Sequence, residues 1–368
     1  MLYFVRLGTF GFGGPIALVG YMQRDLVEDR RWVTTEDYME GLALAQLAPG
    51  PLAAQLAIYL GWVRAGVLGA TLVGVAFVLP SFLMVLGLAA AYLEFGGLPW
   101  MRGAMVGVGA AVIGIISRSA WKLASATMGK AKLLWAIFAA SALVTAITET
   151  EYVGVFLLCG VIGSIAARPP SVRHAAALLP WPLLWTGLHG PADGSVLWTL
   201  AWYFTEAGAF VFGSGLAIVP FLHGGVVTEF AWLNEQQFVD AVAVAMLTPG
   251  PVVITVAFVG YLVAGPLGAG VAALATFLPC YLFVVGLAPS FRKYARNVQI
   301  RGFVDGVTAA ASGAIAGAAF VLGKRAIVDL PTALLAIAAL AVMTASRRAS
   351  EPLVLLIAAC AGLALSAV

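Results

Sequence analysis

Charge is what this sequence has least of. Lys, Arg, Asp and Glu together make up 10% of its 368 residues, against 62% hydrophobic ones. Soluble domains carry roughly 25% charged residues, so a water-soluble fold is excluded and a polytopic membrane protein is expected. Cysteine is nearly as scarce. Cys159, Cys280 and Cys360 stand singly inside apolar runs, without the spacing of a metal site or a disulfide framework. The three histidines, His174, His189 and His223, have no ligand spacing, and no serine or cysteine lies in a nucleophile motif. No enzyme, cofactor or metal is therefore expected. No polar interval is long enough for a soluble domain. No cleavable leader is apparent, because the segment from Met1 runs straight into the first repeat element.

What the chain does have is a repeat. Gly8, Phe10, Phe12, Gly13 and Trp32 return as Gly208, Phe210, Phe212, Gly213 and Trp232. Leu79-Pro80 and Arg102-Gly103 return as Leu278-Pro279 and Arg301-Gly302, and Glu40 answers to Asp240. Residues 1–167 and 196–368 read as two homologous repeats. The stretch 168–195, with Trp181, Trp185 and several prolines, reads as an interfacial linker.

The most informative motif is also duplicated. Pro49-Gly50-Pro51 and Pro249-Gly250-Pro251 interrupt apolar helical runs. Proline removes a helix hydrogen bond and pushes the preceding residue out of the α region, so two prolines around a glycine break the helix. A break in lipid leaves backbone groups that only protein, water or a ligand can satisfy. Paired breaks in two halves point to a transporter's binding site. Half-helices starting at Pro51 and Pro251 would present unbonded N–H groups and positive dipole ends, which suit an anion. Gln46, Gln55, Thr248 and Thr255 could add side-chain donors. The plainer alternative is a pair of packing kinks.

Charge placement bears on topology. If every apolar segment spans, the basic residues divide almost evenly between the two faces. If each Pro-Gly-Pro segment is instead a re-entrant hairpin, the halves are inverted. With Arg102 and Arg301 set aside as embedded, one face then carries Arg24, Arg30, Arg31, Arg64, Arg118, Lys122, Lys130, Lys132, Arg168, Arg173, Arg292, Lys293, Arg296, Arg347 and Arg348, and the other keeps Arg6, Lys324 and Arg325. That bias is the positive-inside pattern. The expected fold is all-α, with inverted repeats of about five spans each plus one broken hairpin.

Other candidates have bland readings beside the functional ones. Gly13, Gly14 and Pro15, with Gly213, Ser214 and Gly215, either form a second break lining the same cavity or allow close helix packing. Arg102 and Arg301, at matching repeat positions, either meet substrate or snorkel at an interface. Glu206 and Asp305 are proton-coupling candidates, with interface anchoring as the alternative. Arg6 and Glu206 are repeat mates of opposite sign. His223 is a weaker proton carrier.

Phe12-Gly13-Gly14-Pro15, then Arg30-Arg31-Trp32, then Leu47-Ala48-Pro49-Gly50-Pro51 with Gln55 four residues on, resembles the chromate ion transporter family, whose long members carry two homologous domains. The resemblance implies proton-motive export of chromate, with sulfate as a related tetrahedral dianion, across the bacterial cytoplasmic membrane. It falls on Gly13, Gly14, Pro15, Pro49, Gly50, Pro51 and Gln55, and on Pro249, Gly250 and Pro251. Two departures are Ala54, where the family often has a hydroxyl residue, and Gly213-Ser214-Gly215 in place of Gly-Gly-Pro. The expected partners are an oxyanion and the bilayer, not nucleic acid, with a homodimer left open. An uncoupled anion channel and a lipid-acting membrane enzyme are the alternatives.

Overall fold

The computed structural model describes residues 1–12, 14–95, 98–148, 153–167, 194–210, 215, 218–290, 297–345 and 351–366. Among these there is no strand. The first half comprises α1 (Leu2–Phe10), α2 (Gly14–Met22), α3 (Thr35–Leu47), α4 (Leu52–Phe95), α5 (Pro99–Met128), α6 (Lys132–Thr148) and α7 (Val153–Ala167). The second comprises α8 (Gly194–Phe210), α9 (Ile218–Leu222), α10 (Glu235–Leu247), α11 (Thr255–Leu287), α12 (Val298–Ala326), α13 (Leu330–Ala345) and α14 (Glu351–Ser366). Both α2 and α9 run on into a wide π turn, Gln23–Asp29 and His223–Glu229. Each turn is followed by a residue in the left-handed region, Arg31 at φ 51° and Ala231 at φ 48°. The repeat is therefore kept in backbone detail.

The Pro-Gly-Pro breaks reverse the chain. Gly41 of α3 packs on the ring of Tyr59 in the first turns of α4, which sets those two segments antiparallel with Pro49-Gly50-Pro51 at the tip. Side-chain caps open the incoming legs. Thr34 accepts from the Asp37 N–H, and Asn234 forms a reciprocal capping box with Gln237. A second reversal follows within α4 at Ala65–Gly66, where Gly66 takes φ 58°, and Gly61 then packs on the Gly69 carbonyl. α11 turns in the same way at Ala264–Gly265. The glycine cluster near the N-terminus, which the sequence left open between a break and close helix packing, lies at a turn. Tyr3 lies under the Arg30 guanidinium, 5.3 Å from its ring centre, so α1 and the helix beyond Gly14 double back on each other. Tyr203 of α8 likewise hydrogen-bonds the Phe221 carbonyl at 2.8 Å.

The halves are inverted. Thr71 of α4 meets Tyr281 of α11 at 2.8 Å. Gly50 packs on Cys280 of α11, while Gly250 packs on Ser81 of α4. These pairings hold only if the long arms of α4 and α11 run antiparallel, as a two-fold axis in the membrane plane requires. The halves are also interwoven. Ser141 of α6 donates to Ala310 O of α12 at 2.7 Å. Gly163 of α7 packs on Gly302 and Gly306 of α12, and Gly362 of α14 packs on Gly103 and Gly107 of α5. The small residues of α5 and α12 permit this approach, as in membrane bundles generally. Among the described residues, four helical stretches are long and apolar enough to cross a membrane: Leu52–Phe95 and Val252–Leu287, each counted through its internal reversal, and Trp100–Ser125 and Val298–Ala326. Leu68, Leu72, Val75, Leu79 and Leu83 are exposed at helical spacing along α4. In water that stripe would be an aggregation surface; in a bilayer it is the solvated face.

One departure from symmetry stands out. On α10 the face formed by Val239, Val242, Ala243 and Met246 is buried. Its mate on α3 is open: Met39 is 53% exposed where Val239 is 4% exposed, and Gln46 is exposed where Met246 is buried.

Candidate functional site

Each Pro-Gly-Pro tip is held by the other half. Gly50 sits at φ 135° and Gly250 at φ 104°, a region that side chains rarely enter. A Cβ at Gly250 would strike Ser81 Oγ, and one at Gly50 would come within 2.9 Å of Cys280 Cβ. Ser81 Oγ lies 2.8 Å from Pro249 O and 3.2 Å from Gly8 O, and so joins the second tip to the first half. The Gly250 N–H donates to Gly11 O at 3.1 Å. The glycine break of half one thus closes on the Pro-Gly-Pro tip of half two.

Beyond each tip a helix begins inside the protein. The N–H groups of Leu52, Ala53 and Ala54, and of Val252 and Val253, have no acceptor among the described residues. All five residues are buried. Buried helix starts with unbonded donors require a partner. At each tip these N–H groups and the positive end of the helix dipole suit an anion. A cavity of about 10 Å³ opens at the second tip, between Gly11, Phe12, Met246, Thr248, Gly250, Val252, Glu351 and Pro352. That is the size of one water molecule, so the tip is closed to anything as large as a tetrahedral oxyanion.

The side chains expected to add donors behave differently. Gln55 is fully buried, but its amide donates to Ala48 O at 3.2 Å and Pro49 O at 2.6 Å, which leaves Oε1 without a partner. Its N–H groups therefore brace the tip from within. Thr248 and Thr255 donate to Val244 O and Val252 O. Gln46 is exposed beside its tip. Pro49 is half-buried, and Pro51, Pro249 and Pro251 are buried. Gly14 and Pro15 open α2 at the turn, and Gly215 is buried. Gly13, Gly213 and Ser214 lie outside the described residues, as does the linker up to residue 193, whose last two residues open α8. Arg102 and Arg301 are exposed on the first turns of α5 and α12, not among the buried tip residues. Asp305 is exposed one turn from Arg301. Glu206 is half-buried on α8 and Arg6 is exposed on α1, and no ion pair joins them among the described residues.

Three features escape a reading of the sequence. Ser81 and Cys280 are the small residues after Pro80 and Pro279, and the repeated Leu-Pro was their signal. Glu351 lines the cavity, with Arg118 and Lys122 of α5 acting on it. Asp240 is buried and bonded to Tyr92 and Gln236.

Inverted halves, broken helices and buried half-helix N-termini are the marks of a membrane transporter. The chain belongs to the chromate transporter family, which matches residues 1–164 and 198–363. It is 60% identical to the chromate transport protein of Cupriavidus metallidurans, over 99% of this chain and 92% of that one. It is 56% identical to a probable chromate transport protein of Synechococcus elongatus, over 98% and 93%. A chromate transport protein of Pseudomonas aeruginosa is 29% identical over 85% of this chain and 77% of that one. No solved structure matches.

Proposed function

We propose that this protein exports chromate across the bacterial cytoplasmic membrane by alternating access, driven by the proton motive force. The substrate is taken from the relatives' names. The observation that carries the reading is the set of buried, acceptor-less N–H groups at the starts of the half-helices behind the two tips. Such donors read negative charge and tetrahedral shape, not the central atom, so sulfate is a competing ligand. The unequal burial of α3 and α10 supports alternating access, because two copies of one repeat stand in two different packings. The positive-inside pattern places Arg30, Arg31, Arg64 and Lys130 on the cytoplasmic face. An inside-negative potential then favours exit of an anion by about 2.3 kcal/mol per charge per 100 mV.

The test is chromate flux in proteoliposomes under imposed voltage and pH gradients, with sulfate as competitor. Saturable, gradient-coupled flux that is lost when Pro49-Gly50-Pro51 becomes three alanines in a folded protein is the expected result. Absence of oxyanion flux under every gradient would overturn the reading, and flux that no gradient can drive uphill would make the protein a channel.

A further inference from the structure

We propose that Asp240 is the proton-binding group of the transport cycle, and that Tyr92 converts its protonation into movement of α10 against α4. The proposal rests on the proton-coupled reading above and gives that reading a residue. Asp240 is 2% exposed and is the only carboxylate among the described residues in the fully buried set. Both of its oxygens are met by neutral donors. Tyr92 Oη–H donates to Oδ2 at 2.7 Å, and Gln236 Nε2–H donates to Oδ1 at 2.9 Å. No Lys, Arg or His of the described residues pairs with it. The other acidic groups near this hairpin differ: Glu235 is held by His223 and Arg325, and Glu351 faces Arg118 and Lys122. A carboxylate buried in a membrane protein without a cation is costly unless it holds a proton or water reaches it.

Its partner gives the proton something to move. Tyr92 belongs to α4 of the first half, yet its ring stands edge-on to Phe258 of α11, 5.4 Å away. The phenol is therefore seated between the two legs of the second hairpin, with Asp240 on one leg and Phe258 on the other. When Oδ2 takes a proton it becomes a donor, and the Tyr92 hydroxyl must turn from donor to acceptor or let go. The same step removes the charge from α10 before its apolar face slides past α5. The repeat mate Glu40 is half-exposed on the open face of α3. The same position thus stands nearer water on one hairpin and is sealed on the other, as loading and release on opposite faces require.

Tyr92 and Gln236 are the groups that face the carboxylate. The Glu235–His223–Arg325 cluster lies more than a turn away along α10, and Arg301 and Asp305 stand on exposed parts of α12.

The experiment compares the full-length wild type with Asp240→Asn in chromate-loaded proteoliposomes. For the variant, uphill accumulation driven by a pH gradient should fall at least ten-fold. Exchange of internal for external chromate, which needs no net proton movement, should persist, and Asp240→Glu should restore coupling. Tyr92→Phe should move the pH of half-maximal flux by about one unit or more, which keeps the idea testable if the asparagine variant does not fold. Unchanged pH-driven accumulation in Asp240→Asn, or an unchanged pH profile in Tyr92→Phe, would overturn the proposal while leaving the transporter reading intact. A wild type indifferent to the pH gradient would overturn proton coupling itself.

Discussion

At the scale of single residues, the two tip glycines answer to different neighbours. Both take a positive φ; a Cβ at Gly250 would overlap Ser81 Oγ, whereas one at Gly50 would meet Gln55 Nε2 at 2.7 Å and Cys280 Cβ at 2.9 Å, a lesser overlap. Gly250→Ala combines backbone strain with overpacking, each worth about 1–3 kcal/mol. It should lower the melting temperature of the detergent-purified protein more than Gly50→Ala does. Equal shifts would mean that Ser81 yields freely. Gln55→Leu removes two bonds to the tip carbonyls, at about 0.5–1.5 kcal/mol each. Its chromate affinity should weaken through loosening of the tip, without loss of a substrate contact. Pro49, Gly50 and Pro51 were legible in the sequence because proline and glycine act locally. Ser81, Cys280 and Asp240 were not, since their importance comes from what another half brings to them. Gln55 shows the same limit from the other side: its type and spacing suggested a ligand donor, and only the fold reveals that the carbonyls of Ala48 and Pro49 take its protons.

At the scale of elements, the broken helix could be read from the sequence because Pro-Gly-Pro recurs in register. The partner of each tip could not. Sequence order groups Gly11 with Gly50, but the inverted arrangement delivers Gly11 to Gly250. The N-terminal hairpin, formed by α1 and α2, was hidden because a glycine cluster looks the same whether a helix bends or turns back. The hairpins carry a direct prediction. Glu28 and Glu229 are both exposed, each at the end of a π turn. Single cysteines placed there should react with an impermeant maleimide from opposite faces of the membrane, and labelling from one face would refute inversion. The bonds of Arg325 and His223 to Glu235 agree with the inverted order, because they put the end of α12 on the same face as the start of α10.

At the scale of the whole molecule, α3 and α10 set one repeated element in two different packings. Val239 Cγ1 lies 3.1 Å from where a Cβ on Gly109 would stand. The repeat-related pair is Met39 and Thr308. A Val239→Cys/Gly109→Cys double variant should therefore cross-link in one transport state and Met39→Cys/Thr308→Cys in the other, with chromate gradients shifting the yields in opposite directions. Yields that rise and fall together would argue against exchange of packing between repeats. The interweaving of the halves was the part least visible in the sequence, since the segments after α5 align poorly between repeats. It has a consequence for how the protein is made. Ser141 finds its acceptor 169 residues further along the chain. At roughly 5–20 residues per second of synthesis, α6 and α7 wait about 8–34 s in the membrane before α12 has been made. During that interval Ser141 and the glycines of α7 lack their native seat, so the newborn first half is a natural client for an insertion chaperone and a natural target for membrane proteases.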